Sequence, residues 1–186
     1  AALGERWGAE AVRARTGINV DASHGAAKIA WLRAHGGPAA DADAYLAPGA
    51  YVAAWLCGER VSDPAAASSM MLLDLATGTW ATDLVADLGI DPGQLGAIEQ
   101  AHAPVGTLRP AVAEALGLRP DVVVVTGTGD EFGACIGAAM LEPGLVCDIT
   151  GTAEPVAAAS TTPLLDPTGL LETHPHAAPG RWLLEN

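Results

Sequence analysis

The stretch Val122-Val123-Val124-Val125-Thr126-Gly127-Thr128-Gly129-Asp130-Glu131 places a carboxylate where a glycine-rich turn meets the start of a small-residue helix. Glycines in such a turn let the backbone approach a ligand closely, because a Cβ there would collide with it. A helix N-terminus favours negative charge, so Asp130 is expected to stay ionised and to accept a hydrogen bond from a substrate hydroxyl. A carboxylate so held suits general-base catalysis of phosphoryl transfer. The position suits a plain helix cap equally well, which is the commoner use of aspartate there. Roughly twenty residues later, Thr150-Gly151-Thr152 lies between two strand-like runs, and such a turn can aim N–H groups and a hydroxyl at an anion. Taken alone it is an ordinary hairpin turn. Ser23 and His24 stand just before a third segment of interest, with Lys28 and Trp31 following. His24 can meet a polar ligand there, or serve as a surface or capping residue.

Other chemistries are weaker. Gly127-Thr128-Gly129 begins a dinucleotide fingerprint, but Phe132 occupies the third glycine position. A P-loop is absent, since the single lysine, Lys28, follows no glycine-rich loop. Asp130 and Glu131 are neighbours at a helix start and point in different directions, which disfavours a paired-carboxylate hydrolase. His174 and His176 fall in a proline-rich segment that reads as a surface loop without acidic or thiol partners, so no metal ligand is assigned.

The elements that must position these residues alternate between helix and strand. Helices are expected from Gly4 to Arg15, ending at Thr16-Gly17, and from Gly25 to His35, ending at Gly36-Gly37-Pro38. Residues 44–57 read as a strand-like piece, a Pro-Gly break and an apolar helix that Gly58 stops. Ser62 to Leu75 reads as a loop entering an apolar segment, Asp74 to Trp80 as a polar turn, and a helix follows to Leu88. Pro110 to Leu116 reads as a helix closed by Gly117. Val122 to Val125 reads as a strand buried on both faces. After it come a helix from about Glu131 to Leu141, strands at Leu145–Ile149 and Pro155–Ala159, and a loop-rich end from Thr161. This order points to α/β architecture.

Composition narrows the classes. The 186 residues are 50% hydrophobic and 17% charged, which excludes a disordered tail and allows a sizeable core. Gly, Pro, Asp and Arg interrupt every apolar run short of a membrane span. Nine Lys and Arg against 22 Asp and Glu leave a net charge of −13, which repels nucleic acid and anionic membranes. Any phosphate must then be held by backbone N–H groups, helix N-termini or a metal ion. Cys57, Cys135 and Cys147, odd in number and without C-x-x-C spacing, read as reduced core cysteines of a cytoplasmic protein. The first fifteen residues carry charges throughout and have no signal-peptide core, and the absence of an initiator Met suggests that the chain begins inside a longer protein.

Five segments in order, TGINVDASHGAAKIAWL, SDPAAASSMMLLDLATGTW, PVGTL, GTGDEFGACIGA and DITGTAEPV, resemble the FGGY family of carbohydrate kinases. That family holds xylulokinase, ribulokinase, gluconokinase and glycerol kinase. The resemblance runs from about Thr16 to Leu184 and implies part of an actin-like ATPase (ribonuclease H-like) α/β fold. Residues 1–141 would be the later portion of the first, sugar-binding domain, ending in an interdomain helix, and residues 142–186 the start of the second, ATP-side domain. The family's D-x-G-T phosphate loop and its glycine-rich adenosine site have no counterpart in these residues.

Carried over by position, Asp130 matches the family's catalytic base and Glu131 a substrate contact. Ser23 and His24 match the place of a pocket residue, while Gly151 and Thr152 match the turn that holds the transferred phosphate. The resemblance implies ATP with Mg²⁺ and phosphorylation of a ketose such as xylulose, or of a polyol. A degenerate, non-catalytic module that senses a sugar is the alternative. The expected partner is a small-molecule sugar, with a homodimer left open. Two departures bear on the choice of sugar: Glu131 stands where Asn or Gln is usual, and Ala153-Glu154 replace small residues or serine.

Overall fold

The computed structural model describes residues 2–150 and 154–186. The chain opens with two short helices, α1 (Ala2–Trp7) and α2 (Ala9–Thr16), where the sequence suggests one. Gly8, at φ 79, breaks the run. A third helix, α3 (Gly25–His35), has the expected bounds. The next, α4 (Pro48–Cys57), begins at the Pro-Gly pair, because proline at a first helical turn gives up only an N–H that has no helical partner anyway. Gly58 ends it at φ 94. The segment read as a loop from Ser62 contains β1 (Val61–Ser62) and the five-residue helix α5 (Pro64–Ser68). A hairpin of β2 (Leu73–Asp74) and β3 (Thr79–Trp80) follows, then α6 (Thr82–Asp87) and β4 (Ala97–Ile98), which pairs in parallel with β1.

Next come β5 (Pro104–Thr107), α7 (Pro110–Leu116), β6 (Val123–Val125) and α8 (Asp130–Gly137). The last quarter is a four-stranded antiparallel sheet of β7 (Val146–Asp148), β8 (Val156–Ser160), β9 (Glu172–Pro175) and β10 (Trp182–Glu185). Its strand order is β7-β8-β10-β9. Side chains pack as three clusters. The largest lies among α1, α2, α3 and the β2–β3 hairpin and includes Ile18, Ile29, Leu72 and Val85. A second joins α8 to the four-stranded sheet through Phe132, Cys135, Met140 and Leu183. The third sets β6 against α7 through Val124 and Val112. All three cysteines are free.

Three expectations are corrected. The valine strand is not buried on both faces, since Val123 and Val125 are 57% and 47% exposed and only Val124 is buried. Among the described residues it pairs with β5, and α7 and α4 pack on the Val124 side. The end of the chain is not loop-rich, because β9 and β10 lie there. His174 and His176 are accordingly not on a surface loop: both are buried, and His174 lies on β9 between acidic side chains. Trp31 of α3 is 60% exposed and stacks on His35.

Two features fasten these parts together. Gly17, at φ 78, accepts the Thr173 N–H from β9 at 2.9 Å, and a Cβ there would lie 2.2 Å from the Thr173 carbonyl oxygen. Asp63, 1% exposed, accepts the Ala66 N–H at the start of α5 and the Thr128 hydroxyl at 2.8 Å. Gly17→Ala is expected to lower stability by about 2 kcal/mol or more, from left-handed strain plus the backbone collision. Asp63→Ala is expected to cost about 1–3 kcal/mol, from the lost cap and the lost hydrogen bond to the half-buried Thr128 hydroxyl. Urea unfolding followed by circular dichroism measures both.

Candidate functional site

A cleft of about 370 Å³ opens between the start of α4, strand β1, the start of α5 and the turn Thr126–Asp130. Three of these elements owe their position to local sequence. Pro48 and Pro64 start α4 and α5, while Asp63 caps α5 and holds the turn through Thr128. Gly127, at φ 75, would carry a Cβ that meets nothing within 4 Å, so the wall there is bare backbone facing open space. Two carboxylates line the cleft, Asp63 and Asp130, and no Lys or Arg does so among the described residues.

Those two carboxylates do different work. Burial raises the Asp63 carboxyl above the usual range, while the Ala66 N–H and the Thr128 hydroxyl oppose that shift. Asp130 is exposed at the rim. The helix α8 is capped by Gly129, with Asp130 as its first residue, so the aspartate is not the capping residue itself. Its Oδ1 accepts the Glu131 N–H at 3.0 Å, which places the charge at the positive end of the helix. A carboxylate exposed at the rim and fixed at one oxygen is placed to take a proton from a hydroxyl resting in the cleft.

The remaining sequence-derived residues are distributed around this cleft rather than all within it. Ser23 lines an adjoining, mainly apolar cavity of about 550 Å³ with Lys28, Ile29, Tyr45 and Met70. The two cavities share Ala47, Pro48 and Ala66 as a common wall. His24 is fixed elsewhere: its Nδ1 lies 3.2 Å from the Ser69 carbonyl oxygen and its Nε2 3.3 Å from Glu172 Oε1. Glu131 is half-buried on the side of α8 that meets the four-stranded sheet, beside Glu185. Gly151 and Thr152 lie outside the described residues.

A second polar group was not anticipated from the sequence. On the far side of α5 from Asp63, His174 Nε2 lies 3.0 Å from Glu185 Oε1 and 3.6 Å from Glu172 Oε2. Its Nδ1 is 2.7 Å from Ser68 Oγ. Burial works against charge on His174, yet Glu172 and Glu185 carry its pKa up to about 9. Burial likewise opposes the Glu172 charge, which His174 and His24 restore, leaving a pKa of about 2. Glu131 goes the other way, raised to about 8 by burial and by Glu185. Ser62-Asp63-Pro64, an aspartate ahead of a first-turn proline, is the cap signal that identifies Asp63 in the sequence. No comparable signal marks the histidine group, whose members meet only through strand pairing.

Among the described residues no helix is long and apolar enough to cross a membrane. Residues 1–137 match the sequence profile of the FGGY family of carbohydrate kinases, N-terminal domain. The chain is 30% identical over 160 residues to a xylulose kinase of Klebsiella pneumoniae, covering 86% of this chain and 33% of that protein. It is 29% identical over 130 residues to an autoinducer-2 kinase of Escherichia coli strain K12, covering 70% and 24%. The chain therefore spans a third or less of these curated relatives. The crystal structure of xylulose kinase from Rhodospirillum rubrum superposes over 100% of this chain and 38% of that one, with TM-score 0.91 and 30% identity. A glycerol kinase from Plasmodium falciparum shares the fold at TM-score 0.87 and 18% identity, over 100% and 38% of the two chains. With the fold, the cleft and the matching profile in agreement, the chain belongs to the FGGY family of carbohydrate kinases.

Proposed function

We propose that the protein containing this chain transfers the γ-phosphoryl group of ATP to a hydroxyl of a ketose or polyol, with Asp130 as general base. The observation that carries this reading is the exposed carboxylate on the first turn of α8, at the rim of a cleft walled by glycine backbone. Asp130 accepts the proton of the sugar hydroxyl as its oxygen bonds to phosphorus, and the bond from phosphorus to the ADP oxygen breaks. The sugar rests against Thr126–Asp130 and the start of α4, with Ser23 in the adjoining cavity available to a longer substrate. Gly151 and Thr152 are assigned to the transferred phosphate by their place in the sequence.

The cleft residues fit a nucleotide that brings its own counter-charge. With two carboxylates and no cation lining the cleft, Mg²⁺ carried with ATP supplies the neutralisation that this protein surface lacks. Residues 1–141 are assigned to the sugar-binding domain and 142–186 to the ATP-side domain. The end of the profile match at residue 137 supports that division. On this assignment α8 joins the two halves and moves with domain closure.

The test is ADP release by the complete protein with ATP and Mg²⁺ across pentuloses, hexuloses and polyols. One substrate should turn over, and Asp130→Asn should lower kcat by at least ~10²-fold while sugar binding, read by thermal shift, persists. Near-normal turnover by the variant rejects the assignment of the base. Sugar binding without turnover by the unmodified protein favours a sensing module instead.

A further inference from the structure

His174, Glu172 and Glu185 converge on one point, and the hydrogen bonding around them defines what belongs there. Ser68 Oγ lies 2.6 Å from the Ala65 carbonyl oxygen, which only accepts, so the single hydroxyl proton goes to Ala65. Ser68 Oγ must then accept from His174 Nδ1 at 2.7 Å, and Nδ1 carries a proton. In the neutral ring this leaves Nε2 with a lone pair aimed at carboxylate oxygens 3.0 and 3.6 Å away. Lone pairs facing each other in a buried site repel unless a cation lies between them. A proton on Nε2 is one such cation, and a divalent metal ion competing for the same place is the other. Nε2 makes no well-directed hydrogen bond to its near oxygen.

We infer that Glu172, His174 and Glu185 form a binding site for a divalent transition-metal ion of the Zn²⁺ class, separate from the cleft at Asp130. The three ligand atoms lie within 4.8 Å of one another. A tetrahedral ion bonded at the usual 2.0–2.2 Å spaces its ligands about 3.3–3.6 Å apart, a range bracketed by the 3.0 and 3.6 Å from His174 Nε2 to the two carboxylates. One imidazole and two carboxylates form a borderline-hard set that suits Zn²⁺ or Mn²⁺ better than Mg²⁺, which prefers an all-oxygen octahedron.

The surroundings match those of a metal-bound histidine. The Ser68 hydroxyl fixes the ring through Nδ1, and the Asn19 N–H holds Glu172 Oε1 at 2.8 Å, leaving Oε2 to the ion. Phe132 packs against the imidazole at 5.5 Å and shields that side. The histidine side chain is 2% exposed, whereas Glu172 and Glu185 keep 16% and 13%, which leaves an approach for an ion. Bound there, the ion joins the edge strand β9 to β10, with α5 linked through Ser68 and the segment after α2 through Asn19.

The experiment uses the complete protein, stripped with chelator and free of nucleotide, competing for Zn²⁺ against a chromophoric chelator. One equivalent should bind, with a rise in unfolding temperature. Glu185→Gln and His174→Gln should each weaken binding by at least ~10²-fold and abolish the rise, while Ser68→Ala should weaken it about 10- to 100-fold. X-ray absorption of the loaded, unmodified protein should show one imidazole among oxygen ligands, a readout independent of whether the variants fold. Absence of binding by the unmodified protein overturns the site. So does equal binding by protein and variants, or an absorption spectrum without imidazole.

Discussion

The arrangement depends on one buried carboxylate. Asp63 is almost fully enclosed, and an ionised group in that position persists only if its oxygens are satisfied. It achieves this by reaching in two directions, to the first N–H groups of α5 and to the hydroxyl of Thr128. The turn that carries Asp130 is thereby tied to the start of α5 by a hydrogen bond between residues 65 positions apart. Thr126 and Gly127 hold the start of the turn by donating N–H groups to the Ala103 and Ala101 carbonyls, and the Asp63 tie fixes its far end beside α8.

Two short helices serve both polar regions of the molecule. The N-terminus of α5 meets Asp63 at the cleft, and its last residue, Ser68, orients His174. Adjacent residues at the start of α8 divide in the same way, Asp130 lining the cleft and Glu131 turning toward Glu185. Successive side chains on a helix differ by about 100° in direction, so neighbouring carboxylates come to occupy separate environments. Their charges follow. Asp130 is open to solvent, while desolvation and a like charge hold Glu131 protonated near neutrality.

What the sequence discloses about this fold is mainly its punctuation. Gly17, Gly58 and Gly117 end helices where the sequence places the stops, each in the left-handed region that other residues avoid. Asp130 is legible because a glycine turn between a strand and a helix has few uses. The valine run misleads for a physical reason: four apolar residues report affinity for burial, not how many neighbours a strand acquires. Strands β9 and β10 escape detection because Thr173 and His174 are buried in succession, so no alternation of apolar and polar positions marks the strand. Pro175, Pro179 and Gly180 strengthen the impression of a loop.

The attachment of β9 to the segment after α2 also bears on how the chain comes to be folded. Asn19 and Glu172 are joined by a hydrogen bond across 153 residues, and Thr173 completes the backbone link to Gly17. Contacts that close so long a loop carry a large entropic cost and form slowly. During synthesis from the N-terminus, the segment Ile18–Val20 cannot acquire this partner until residues 172 and 173 have emerged. The largest apolar cluster, which includes Ile18, therefore spends most of that interval with an open border.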